Sequence, residues 1–64
     1  MKMVKYIAPS AEVVADAIEQ AGGIREVSDH LKKTERAVYY WINGKRKIDF
    51  ANWCQIKTMA NYNY

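Results

Sequence analysis

Gly23 to Ile48, GIREVSDHLKKTERAVYYWINGKRKI, is the stretch that decides the fold. Ile24, Val27 and Leu31 recur at helical spacing, and so do Ala37, Val38 and Trp41. Lys32-Lys33-Thr34 lies between the two sets and is too short for anything but a sharp turn. Asn43-Gly44 supplies a stop, and the basic run Lys45-Arg46-Lys47 follows it. The pattern predicts a short helix, a tight turn and a second short helix. Two helices so joined form a helix-turn-helix, whose second helix is able to enter a DNA major groove.

On the N-terminal side, Val14, Ala17, Ile18 and Ala21 make an apolar stripe that ends at Gly22-Gly23, a C-terminal stop. Pro9 suits the first turn of that helix, where its missing N–H costs nothing. Met1 to Ile7 alternates weakly and reads as an extended arm, over residues 1–8, or as an edge strand. Thr34 is a good N-cap for the helix that follows, with Glu35 well placed against the helix dipole. On the C-terminal side, Asp49 is placed to cap a last helix from Phe50 to about Ala60, and Asn61 to Tyr64 is expected to fray. The expected architecture is one all-α domain of four or five helices, without repeats.

Size and composition set the function classes. A chain of 64 residues, half of them hydrophobic, is one domain with a marginal core and is too apolar to be disordered. No run approaches a membrane span, and Met1 to Ser10 lacks the apolar core of a signal peptide. The single cysteine, Cys54, excludes an internal disulfide and fits a reducing cytosol, while a bridge between two chains stays open. A small soluble domain of the cytoplasm is expected. One His and one Cys, 24 positions apart, furnish no zinc site, and Gly22-Gly23 lacks the strand that a phosphate loop needs. Ser10 and Ser28 offer no parts for a Ser–His mechanism. No enzymatic activity, cofactor, metal or small-molecule ligand is therefore expected.

The net charge of +3 is unevenly placed. Residues 12–29 carry five acids, Glu12, Asp16, Glu19, Glu26 and Asp29, against Arg25, a net −4. Residues 32–47 carry six cations, Lys32, Lys33, Arg36, Lys45, Arg46 and Lys47, against Glu35, a net +5. A basic face opposed to an acidic back orients a domain on a phosphate backbone. A charge run by itself is more often a solvated face; its coincidence with the helix–turn–helix pattern favours nucleic acid.

From about Ile18 to Ile56 the chain resembles the Cro and phage-repressor-like helix-turn-helix proteins of bacteria and their viruses. Leu31, Val38 and Trp41 fall at that family's core spacing, and Ser28 stands where a small residue lets the two helices approach. Thr34 matches the Ser or Thr that opens the recognition helix. The string WINGKRKI, residues 41–48, resembles the helix exit. One departure is Lys32, at a turn position where glycine is common; a left-handed backbone there costs a lysine about 1 kcal/mol. The resemblance implies a compact four- to five-helix lambda-repressor-like domain that binds an operator in double-stranded DNA as a transcriptional regulator, a Cro-type repressor, in a bacterial host cytosol.

The resemblance also implies contacts. Glu35 and Arg36, at the start of the recognition helix over residues 34–42, would reach base edges. Arginine is a bidentate reader of guanine, and glutamate accepts from cytosine N4. Tyr39 and Tyr40, one turn on, would meet bases or sugars. Lys33, Thr34, Lys45, Arg46 and Lys47 would hold phosphates, which gives affinity and register rather than sequence information. The plainer readings are that Glu35 and Arg36 are first-turn surface charges and that Tyr40 packs on the first helix.

Trp41 reads as a core anchor, Cys54 as a small buried hydrophobe and His30 as a helix-surface residue. Phe50, Trp53, Ile56 and Met59 are more apolar bulk than one narrow stripe needs, so part of that surface is expected to pair two subunits. The opposing reading is that so small a domain needs all four for its core. The alternative function is an antitoxin-like protein-interaction module whose partner covers the helix over residues 50–60.

Overall fold

A serine, not the proline before it, starts the first helix. In the computed structural model, which describes residues 6–62, the order is α1 (Ala11–Gln20), α2 (Ile24–Leu31), α3 (Glu35–Ile42) and α4 (Phe50–Ala60). No strand occurs among the described residues. The Ser10 hydroxyl accepts from the Val13 N–H at 3.3 Å, so the cap falls there. Pro9 stands one residue outside the helix rather than in its first turn. It is buried and borders the same hollow as Val14, the two positions of a hydrophobic staple.

Each helix end follows from its residues. At the end of α1 the Gly23 N–H bonds Ile18 O at 2.9 Å and the Gly22 N–H bonds Glu19 O at 3.2 Å, a Schellman closure. Gly22 carries it at φ 116°, where a Cβ would also press to 3.0 Å from Glu26 Cγ. The α2 end repeats the motif with Lys33 N–H to Ser28 O and Lys32 N–H to Asp29 O, at 2.9 and 3.3 Å. Its left-handed residue is Lys32, at φ 57° and ψ 42°. Lys32→Gly is therefore expected to raise stability by up to about 1 kcal/mol, offset in part by the looser unfolded chain. A rise in melting temperature of a few degrees checks it, and no rise would place the strain elsewhere.

The core draws on every helix. Val14, Ala17 and Ile18 of α1, Val27 of α2, Val38 and Trp41 of α3, and Trp53 and Ile56 of α4 are buried with Ile48 from the α3–α4 connection. α1 packs on all three other helices, and α2 packs on α3 and α4. Ser28, on α2, is buried and satisfies its hydroxyl within its own turn, donating to Arg25 O at 2.9 Å. Among the described residues no buried side-chain nitrogen or oxygen lacks a partner.

Several expectations are corrected here. Trp53 and Ile56 belong to the core, not to a subunit surface, because their strip of α4 faces α1 and α2. Of the four apolar residues assigned to that surface, Phe50 is 60 % exposed and Met59 is half-buried. Cys54 is half-buried rather than buried, one step round the helix from Trp53. Asp49 stands at the N-cap of α4, but its carboxylate accepts from the Asn52 side chain instead of a backbone N–H.

Nor do the described chain ends hang loose. Asn61 closes α4 at φ 52°, and Tyr62 lays its ring edge-on to Trp53 and donates its hydroxyl to Asp16 Oδ2 at 2.9 Å. The fraying expected of residues 61–64 fails at those two residues; 63 and 64 lie outside the described residues, as do residues 1–5 of the arm. Tyr6 is tied down by its hydroxyl on Ile48 O at 2.8 Å and by an edge-on contact with Phe50. No helix among the described residues is long and apolar enough to cross a membrane.

Candidate nucleic-acid interface

α3 owes its start to Thr34, whose hydroxyl accepts from the Ala37 N–H at 3.1 Å. Thr34→Ala is expected to cost about 0.5–2 kcal/mol, with Thr34→Ser close to the parent. Thermal melts of the two variants check it, since equal losses would show that the cap bond contributes nothing.

The 3.6-residue period then sorts the helix. Val38 and Trp41 turn inward, and Arg36, Tyr39 and Asn43 turn to solvent, with Tyr39 53 % exposed. Glu35 is exposed on the strip that leads to Tyr39. Tyr40 is half-buried on the strip that leads on from Arg36, where the Lys45 ammonium lies 5.6 Å from its ring centre.

The connection after α3 folds back along the helix. Gly44, at φ 81°, reverses the chain; its added Cβ would meet only an ordinary contact, so conformation and not space requires glycine. The Asn43 side chain accepts from the Lys45 N–H at 2.9 Å, and the Arg46 N–H bonds Tyr40 O at 3.1 Å. Buried Ile48 pins the far end. These four constraints carry Arg46 and Lys47 to the flank of α3.

The outcome is an open hollow of about 450 Å³ bordered by Lys33 and Arg36 on one side and Arg46 and Lys47 on the other. Tyr40 and Trp41 line its floor, and Thr34, Asp49 and Asn52 its rim. Four cations against one carboxylate make it strongly positive, and none of the four is held in an ion pair among the described residues.

Of the nine residues assigned to nucleic acid, six border this hollow: Lys33, Thr34, Arg36, Tyr40, Arg46 and Lys47. Glu35 and Tyr39 lie on the neighbouring exposed strip, and Lys45 stands over Tyr40. Three further residues lie on or beside this surface and were not assigned to nucleic acid from the sequence. Asn43 lies two turns beyond Arg36 on the same strip, a position that periodicity alone could have exposed. Asp49 and Asn52 reach the rim only through the fold of the connection. No protein-family model, curated protein or solved structure matches the chain.

Proposed function

We propose that this chain is a helix-turn-helix protein of the Cro and phage-repressor kind that binds specific duplex DNA and regulates transcription, as a repressor. The observation that carries the reading is the convergence of Lys33 and Arg36 with Arg46 and Lys47 around the solvent-facing side of α3. Cations ten or more residues apart are gathered there, beside a helix whose outward side chains are long and polar.

In this reading α2, the turn at Lys32 to Thr34 and α3 are the motif, and α3 enters the major groove. Arg36 takes guanine O6 and N7, Glu35 accepts from cytosine N4, and Tyr39 and Tyr40 meet bases or sugars. Lys33, Thr34, Lys45, Arg46 and Lys47 hold phosphates on either side of the groove. The acidic side chains of α1 and α2 then face away from the DNA and help to orient the approach. Two copies would address half-sites about 34–36 Å apart.

The experiment is retention of fragmented source genomic DNA at near-physiological salt, followed by sequencing. Enrichment of a few short near-palindromic sites is the expected result. Uniform, salt-sensitive retention would reduce the protein to a generic basic binder. No retention would transfer the reading to an antitoxin-like module. That module has less to work with than the sequence promised, because Trp53 and Ile56 are core residues.

A further inference from the structure

The chain has one histidine and one cysteine, 24 residues apart on different helices, and the packing of α2 on α4 brings them to the same place. His30, in the last turn of α2, and Cys54, in α4, border an open hollow of about 320 Å³ together with Met59, Gln55 and Thr58. The Cys54 thiol is free and half-buried, Met59 is half-buried and His30 is exposed. The Thr58 hydroxyl is turned back on its own helix, where it donates to Cys54 O at 3.0 Å. A thiol, a thioether and an imidazole thus share one hollow with mostly apolar walls, and no carboxylate, ammonium or guanidinium borders it.

We infer that this hollow binds a soft monovalent cation, copper(I), through Cys54 Sγ, Met59 Sδ and an imidazole nitrogen of His30. The donor set decides the ion. Thiolate and thioether sulfur select copper(I), whereas magnesium, calcium and manganese prefer oxygen. Structural zinc takes four ligands from Cys, His and carboxylate, and no three of His, Cys, Asp and Glu gather among the described residues. Charge points the same way. On binding, the Cys54 thiol gives its proton to solvent and its sulfur bonds the metal, so copper(I) and thiolate cancel. A neutral centre suits apolar walls, where a divalent ion would keep an uncompensated charge. Cys54 and Met59 are five residues apart and so not on one strip of α4. The long methionine side chain leans back along the helix, toward Cys54, and is flexible enough to adapt. This hollow shares no residue with the basic one, so the site is independent of the DNA reading.

The test is anaerobic titration of the purified chain with copper(I) against a coloured copper(I) chelator. Silver(I), which keeps its oxidation state, is the second probe, and zinc(II) the control. Cys54→Ser, Met59→Leu and His30→Asn are compared, with circular dichroism as the check of folding. The parent is expected to take one copper(I) per chain and to bind zinc(II) about a hundredfold or more weakly. Cys54→Ser should lose about a hundredfold in affinity, and Met59→Leu and His30→Asn about tenfold each, with silver(I) in the same order. Bound copper(I) should also raise the melting temperature of the parent but not of Cys54→Ser. A parent that takes no copper(I) would overturn the site. So would a folded Cys54→Ser variant that binds like the parent, which would place the ion elsewhere, or zinc(II) held as tightly as copper(I). One copper(I) for every two chains would mark a thiolate bridge between copies and overturn it too. Loss in Cys54→Ser alone, with the other two unchanged, would leave only a bare thiol. Met59 packs against the core and His30 is exposed, so His30→Asn keeps the test open should Met59→Leu disturb the fold.

Discussion

Ile56→Ala is expected to remove about 2–5 kcal/mol of stability, the cost of a cavity where a fully buried side chain stood. A domain of 64 residues holds roughly 3–10 kcal/mol in all, at about 0.05–0.15 per residue, so the change consumes much of the margin. Ile56 sits on the strip of α4 that meets α1 and α2, where Ile18, Val14 and Val27 are also sealed. These side chains belong to one core cluster spread over several helices, so the gap closes only in part. Urea unfolding at two protein concentrations, tenfold or more apart, is the measurement. The same loss at both marks a core position. A loss seen only at the higher concentration would return Ile56 to a subunit contact.

The second large effect separates reading from holding. Arg36→Ala is expected to cut discrimination at one base pair by about 1–3 kcal/mol, roughly five- to 150-fold. Replacing Lys33, Arg46 and Lys47 together by alanine should instead weaken every sequence alike. It should also lower the salt slope by about 2.7, at about 0.9 per phosphate contact. Titration of labelled duplexes over a series of salt concentrations reads both quantities. If Arg36→Ala leaves the ranking of sequences untouched, α3 does not lie in the groove as proposed. If the triple change leaves the slope untouched, the basic hollow does not face phosphate.

The helices were the legible part. Ile24, Val27 and Leu31 in one helix and Val38 and Trp41 in the next fall three or four residues apart, and Thr34, Gly22 and Asn43-Gly44 mark ends by chemistry that acts within a turn or two. The strain at Lys32 was legible too, once the turn was compared with a family that prefers glycine there. α4 was harder, because Phe50, Trp53, Cys54, Ile56 and Met59 put apolar groups nearly all round it. Periodicity then fails to say which strip is inward; packing against α1 and α2 decides it. Tyr62 was read as loose because nothing nearby holds it. Its partners, Asp16 and Trp53, reach it through the fold, the first across 46 residues. The hollow was half legible: its cations stood out as a charge map, but Asp49 and Asn52 join them only through the bonds that turn the chain after Gly44.

The two indoles sit in unlike settings. Trp53, 3 % exposed, is walled in by Tyr62 and Lys57 and does not border the basic hollow. Trp41, 8 % exposed, forms part of the floor of that hollow beside Tyr40. The protein's ultraviolet emission is thereby divided between a sealed internal standard and a reporter under the very surface where an occupant would press. Replacing Trp53 by phenylalanine would leave a single emitter whose colour and brightness follow occupancy directly, with no dye attached to either partner.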